Sequence, residues 1–237
     1  MEKLSSIKNI IFDFGGVLID LDKERCVRNF KTLGINVESI IGTTHNKGIF
    51  VELEKGNITP EQFRNELRKM TSQSVTDEQI DNAWISILQT VPQYKLDLLL
   101  QLRKKYRIYL LSNTNSIHFE YAKKHIFEKN GHTLKDYFDS CFLSYEIGMI
   151  KPDDEIFEYV INEAQIFARE TIFIDDSPLN IEGAQRWCFS VYQAKEREDF
   201  SHIFKLGASG RQCGGQETKN QTVRSSNLTQ YEVNFLI

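Results

Sequence analysis

A chain of 237 residues with a formal net charge of -4 has room for one large domain, or for one domain carrying an insert. Its hydrophobic share of 41% can build a core, and it has no basic run of the kind a nucleic-acid backbone needs, so nucleic acid is not an expected partner. No apolar run approaches the roughly 18 residues of a membrane span, "MEKLSSIKNIIF" has no signal-peptide core before Asp13, and Cys26, Cys141, Cys188 and Cys213 form no C-x-x-C pair; a cytoplasmic protein with reduced thiols is expected.

In chain order, "NIIF" (9–12) reads as a first buried strand, stopped by Asp13 and the corner Gly15-Gly16. The next seventy residues contain no convincing strand. In "TPEQFRNELRKM", Thr59, Pro60 and Gln62 form a capping-box helix start, and Thr76 and Gln79 repeat the device in "TDEQIDNAWISIL". Ile80, Trp84, Ile87 and Leu88 then share one helical face. Three further short apolar runs, "RIYLL" (107–111), "TIFI" (171–174) and "SVYQ" (190–193), are separated by amphipathic segments of helical length. This alternation predicts an α/β fold: a Rossmann-like, doubly wound parallel sheet with an inserted α-helical cap. The boundaries predicted are 1–20 and 93–204 for the core, 21–92 for the cap, and 205–237 for a polar, flexible tail without periodicity. The closing "YEVNFLI" gives only a weak strand signal. The aromatic stretch "YFDSCFLSYEIG" (137–148) reads as alternating between core and surface. His118 and His125 share a helical face and are expected to be exposed; with His132 they show no metal-ligand spacing.

Three of the four apolar runs end in polar groups: Asp13, Ser112-Asn113, and Asp175-Asp176. Ligands of open parallel sheets bind outside the carboxyl ends of the strands. Taken singly, Ser112-Asn113 reads as a helix cap and Asp175-Asp176 as a turn before Pro178; together they point to one crevice. Carboxylates gathered there repel one another unless a cation sits among them, and oxygen-only ligands suit Mg²⁺. Lys151, before Pro152 and a helix starting near Asp153, adds a fixed positive charge. A magnesium site beside a strand-end hydroxyl suits a phosphate.

"FDFGGVL", "LLSNTN", "KPDDEIF" and "IFIDDSPLNIEGA" resemble, in order and spacing over 8–195, the four motifs of the haloacid dehalogenase-like hydrolases. "ELEKGNITPEQF" (52–63) is similar to a cap segment of members whose helical cap follows the first motif, a branch that includes sugar-phosphate phosphatases. The resemblance implies Asp13 as nucleophile, forming an aspartyl-phosphate. It implies Mg²⁺ held by Asp13, the Gly15 carbonyl, Asp176 and nearby Asp175. Ser112 and Asn113 would bond the phosphoryl oxygens, and Lys151 would neutralise charge between nucleophile and phosphate. The expected partner is a small phosphorylated metabolite.

One position departs from the pattern. Typical phosphatases of this family carry a second acid two residues after the nucleophile; here that position is Gly15. General acid–base help is worth about 10²–10⁴-fold. Three readings follow: a phosphatase whose proton donor lies elsewhere, with Asp20, Asp22 and the cap residue Glu54 as candidates; a weakly catalytic Mg²⁺ and phospho-ligand binder with a regulatory role; or a dehalogenase-type hydrolase, against which Asp175-Asp176 speaks. Substrate choice is expected in the cap, where Glu54, Lys55, Asn57 and Trp84 are candidate contributors.

Overall fold

The first buried run forms the middle of a five-stranded parallel sheet. The computed structural model describes residues 6–38 and 48–204; the tail from 205, with the "YEVNFLI" segment, lies outside the described residues. The strands are β1 (Asn9–Phe12), β2 (Arg107–Ser112), β3 (Ser140–Leu143), β4 (Thr171–Asp175) and β5 (Ser190–Gln193), in the order β3-β2-β1-β4-β5. Phe12 pairs with Leu110 on one side and Ile174 on the other. The chain steps outward through β2 and β3, then crosses back to β4 and β5. The direction therefore reverses at β1/β4, where open sheets place their ligands.

β1 is buried at every residue, as a central parallel strand covered on both faces requires. One face carries Ile10, Phe12, Ile108, Leu110 and Ile174; the other carries Ile11, Tyr109, Leu111 and Phe173. The strand β3 is not among the four runs expected from sequence, where 137–148 reads only as alternating between core and surface. Only Phe142 and Leu143 of its four residues are buried, so an edge strand this short carries little apolar signal.

Among the described residues β1 is followed by the helices α1 (Lys23–Thr32), α2 (Ile49–Glu54), α3 (Pro60–Arg68) and α4 (Asp77–Ile85), ahead of a fifth before β2. Both capping boxes form. Thr59 Oγ1 accepts from Gln62 N at 3.2 Å while Gln62 Oε1 accepts from Thr59 N at 2.8 Å, and Thr76 and Gln79 repeat the exchange. Asp22 caps α1, accepting from Arg25 N at 2.8 Å. Phe30, Phe50, Phe63 and Trp84 pack these helices together, Phe50 lying 5.2 Å from Phe63 and 4.8 Å from Trp84 between ring centroids. A two-toothed bond from Arg64 to Asp81, at 2.9 and 3.1 Å, ties α3 to α4. The two passages linking these helices to the sheet run side by side: Asp22 N donates to Ile87 O at 2.7 Å and Gln89 N to Asp20 O at 3.0 Å.

The remaining helices are α5 (Gln93–Leu102), α6 (Ser116–Ala122), α7 (Leu134–Tyr137), α8 (Ser144–Ile147), α9 (Asp154–Ala164) and α10 (Pro178–Arg186). A π-turn (Lys123–Phe127) continues α6, so the seven-residue spacing of His118 and His125 does not place them on one face. His125 is exposed, but His118 is buried, a departure from the sequence reading. Its Nε2 lies 3.1 Å from the Trp84 carbonyl and its ring stacks on Trp84 with centroids 4.2 Å apart. Burial pulls its pKa down to about 4, against the carbonyl contact. After α10 the chain turns at Cys188 in the left-handed conformation, φ 62°, a corner that glycine takes without strain. No helix among the described residues is long and apolar enough to cross a membrane.

Candidate active site

Asp13 follows β1 directly, and its N–H still bonds to Ile174 O at 2.9 Å. The carboxylate therefore stands at the end of the central strand, beside Asp175, the last residue of β4. Lys151 reaches both. Its Nζ donates to Asp13 Oδ1 at 2.8 Å, to Asp175 Oδ2 at 2.7 Å and to the Leu111 carbonyl at 2.9 Å. All three ammonium protons are thus used in a site where Lys151 is 3% exposed and Asp175 fully buried.

Each partner is held from behind. Asn113 clamps the main chain of Lys151: its Oδ1 accepts from Lys151 N at 2.8 Å and its Nδ2 donates to Lys151 O at 2.9 Å. Asp175 accepts from Ser177 N at 2.8 Å and from the Asn180 amide at 3.0 and 3.1 Å. Ser112, at the end of β2, is buried and its side chain makes no hydrogen bond with the described residues.

The charges set the electrostatics. Burial pushes the Asp13 carboxyl up to about 7, against the pull of Lys151 and with help from Asp175 and Asp176. Burial also raises Asp176, with Asp175 adding to the effect. For Lys151 burial favours loss of the proton, but the charges of Asp13 and Asp175 outweigh it and hold the ammonium above its ordinary range. Lys151 bonds two of the three carboxylates and Lys23 acts on Asp176 only from a distance, yet Asp13 and Asp176 both stay raised, so the cluster is short of positive charge.

That shortage is the test of a cation site. Asp13, Asp175 and Asp176 each offer an oxygen, all within 4.8 Å of one another. The donors are oxygen only, the set Mg²⁺ prefers while retaining waters. The residues present fit the ion. The neighbouring corner is shaped to the carboxylates as well: at Gly16, φ 80°, an added Cβ would stand 2.3 Å from Asp176 Oδ2. A glycine is required there by both backbone and space. Gly15 differs. A Cβ there would meet Leu21 Cδ1 at 3.1 Å, so an aliphatic side chain fills the place next to the missing one.

The structure brings Asp13, Lys151, Asp175 and Asp176 together and sets Ser112 and Asn113 at the neighbouring strand end. It spends the Asn113 side chain on Lys151. Asn180 and Leu21 were not singled out from sequence; Asn180 sits in the first turn of α10, five residues after Asp175, a spacing that lets an amide turn back onto the carboxylate. Of the residues expected to govern substrate choice, Asn57 is exposed and donates to Glu52 Oε2 at 2.9 Å, while Trp84 is buried against Phe50 and Phe63. Glu54 is partly buried, and the charges acting on it are those of Asp13 and Lys151.

A lysine-bridged acid pair at the switch point of a doubly wound sheet, with a cation cradle beside it, defines a hydrolase-type centre. The sequence matches the haloacid dehalogenase-like hydrolase family over residues 7–186, and the chain belongs to that family. It is 38% identical over 195 residues to a D-ribitol-5-phosphate phosphatase of Bacteroides thetaiotaomicron, covering 82% of this chain and 95% of that one. A HAD family enzyme from Bacteroides thetaiotaomicron, crystallised as wild type with magnesium and inorganic phosphate, superposes with a TM-score of 0.80 at 49% identity, covering 84% of this chain and 100% of that one. A HAD-like family hydrolase from Porphyromonas gingivalis gives a TM-score of 0.77 at 37% identity, covering 85% and 98%.

Proposed function

We propose that this protein is a Mg²⁺-dependent phosphatase acting on a small sugar or polyol phosphate through an aspartyl-phosphate on Asp13. The observation that carries this reading is the buried pairing of Lys151 with both Asp13 and Asp175, with Asp176 beside them. The likeness to a D-ribitol-5-phosphate phosphatase and to an enzyme crystallised with magnesium and phosphate supports the substrate class.

Phosphoryl transfer is mostly positioning and charge stabilisation. Asp13 attacks phosphorus as the carboxylate, so its proton must be gone at neutral pH. Lys151 favours that form and also meets the incoming dianion. Asp13, Asp176, the Gly15 carbonyl and Asp175 would hold Mg²⁺, which when bound neutralises phosphoryl charge and lowers the repulsion against the attacking carboxylate. The Ser112 hydroxyl and the main-chain N–H of Asn113 would bond the transferring oxygens, while the Asn113 side chain fixes Lys151. Asn180 and the Ser177 N–H keep Asp175 oriented.

The test is phosphate release from a panel of pentose, hexose and polyol phosphates and one aryl phosphate, with Mg²⁺ and with EDTA. The reading requires Mg²⁺-dependent turnover by the wild type and none by Asp13→Asn at unchanged thermal stability. A wild type inert to the whole panel, yet binding a beryllium-fluoride phosphoryl mimic with Mg²⁺, would favour the binding protein that a glycine at position 15 also permits.

A further inference from the structure

A sugar or polyol alkoxide is a poor leaving group and needs a proton as the P–O bond breaks. Position 15 offers no side chain to supply it. Of the acids near the sheet edge, Asp22 is committed to capping α1. Asp20 faces Arg197 at 3.9 Å through Oδ2 and leaves Oδ1 buried without a hydrogen bond among the described residues, but the groups its charge acts on are Tyr94 and Lys95, not Asp13. Asp175 is saturated by Lys151, Ser177 and Asn180.

We propose that Glu54 is the general acid–base of this active site. The inference rests on the phosphatase reading and adds the group that moves its protons. Its basis is placement. Glu54 ends α2, and the corner behind it turns at Gly56, φ 69°. That corner is pressed onto the core so closely that a Cβ on Gly56 would lie 2.3 Å from the Tyr145 carbonyl oxygen. Tyr145 belongs to α8, the first turn beyond the carboxyl end of β3. Beside it, Ser144 Oγ accepts from Thr114 N at 2.9 Å and donates to Thr114 O at 3.0 Å, two residues past Ser112. The Glu54 corner is therefore seated on the same sheet edge that carries Ser112 and Asp13.

The carboxyl of Glu54 has no hydrogen-bond or ion-pair partner among the described residues. The charges it feels are Asp13 and Lys151. Burial, and then the Asp13 charge, push it up to about 7, so near neutral pH it holds a proton it can also release. This matches the task of an acid that must later act as a base.

The steps balance. An Asp13 oxygen attacks phosphorus, the bond from phosphorus to the ester oxygen breaks, and the departing alkoxide takes the Glu54 proton to leave as an alcohol. Water then attacks the aspartyl-phosphate and gives a proton to the Glu54 carboxylate. The bond from phosphorus to the Asp13 oxygen breaks, releasing phosphate and restoring both acids.

The experiment compares wild type and Glu54→Gln, with Mg²⁺, on a polyol phosphate and on nitrophenyl phosphate, whose leaving group needs no proton. For Glu54→Gln, kcat/KM on the polyol ester should fall by about 10²–10⁴-fold. Nitrophenyl phosphate should give a burst of nitrophenol near the wild-type rate, followed by slow turnover, because the phospho-enzyme forms but lacks its base. Loss of both esters in equal measure with the burst absent, or full retention of both, would overturn the role of Glu54. Phosphate binding with Mg²⁺, followed by calorimetry, should be unchanged in the variant; its loss would make Glu54 structural and equally defeat the proposal. A wild type inert towards both esters defeats the phosphatase reading itself, a result separable from every outcome with the variant.

Discussion

Replacing Lys151 by Met removes the one cation hydrogen-bonded to Asp13 and Asp175 among the described residues and keeps much of the side chain's bulk. Three hydrogen bonds go, to Asp13, Asp175 and Leu111, all between 2.7 and 2.9 Å. Breaking a buried ion pair by deleting one partner costs about 3–5 kcal/mol, because the remaining charge stays buried and unpaired. In a domain of this size 1 kcal/mol moves Tm by about 2–4 °C, so Lys151→Met in EDTA should melt about 6–20 °C lower than wild type. The loss should depend on pH. Without Lys151 the folded-state pKa of Asp13 rises further above its unfolded value, so the penalty is small near pH 4 and grows as pH rises towards and past 7. Millimolar Mg²⁺ should recover part of the loss by supplying the missing charge. Thermal unfolding by circular dichroism across pH, with EDTA and with Mg²⁺, reads all of this. A melting temperature within about 2 °C of wild type at pH 8 in EDTA, near 0.5–1 kcal/mol, would refute the claim that this lysine neutralises a buried acid cluster.

Other outcomes follow from single contacts. Gly16→Ala puts a Cβ against Asp176 and a side chain at φ 80°; it should cost about 1–2 kcal/mol in backbone strain and weaken Mg²⁺ affinity, measured by calorimetry, more than the smaller strain alone explains. Burial holds the folded pKa of His118 at about 4, below its unfolded 6.5. Its contribution to stability is therefore full above pH 6.5 and lost as pH falls towards 4. His118→Gln should flatten that acid limb of the denaturation profile.

Much of this arrangement was legible in the sequence because each strand that matters ends in its own chemistry. Asp13, Ser112-Asn113 and Asp175-Asp176 follow apolar runs directly, and a buried run interrupted by charge is hard to explain except at a ligand-binding edge. The capping boxes at Thr59 and Thr76 were equally readable, since both partners lie three residues apart. What was not legible depends on distant contacts. β3 shows only two buried residues and takes its conformation from pairing with β2. His118 looks like a surface residue until α4 brings the Trp84 carbonyl over it. The hold of the Asn113 amide on the peptide of Lys151, 38 residues further along the chain, has no signal near Asn113 itself. Leu21 became informative only when the turn at Gly15 folded it back beside the vacant position.

The central claim is that Asp13 carries the phosphoryl group during turnover. Acid-quenching the wild-type enzyme while it turns over a polyol phosphate with Mg²⁺, then mapping peptides by mass spectrometry, tests it most directly. One added phosphoryl group is expected on the peptide containing Asp13, absent in EDTA and absent in Asp13→Asn. Steady turnover with phosphate on another residue, or undiminished turnover by Asp13→Asn, would contradict it.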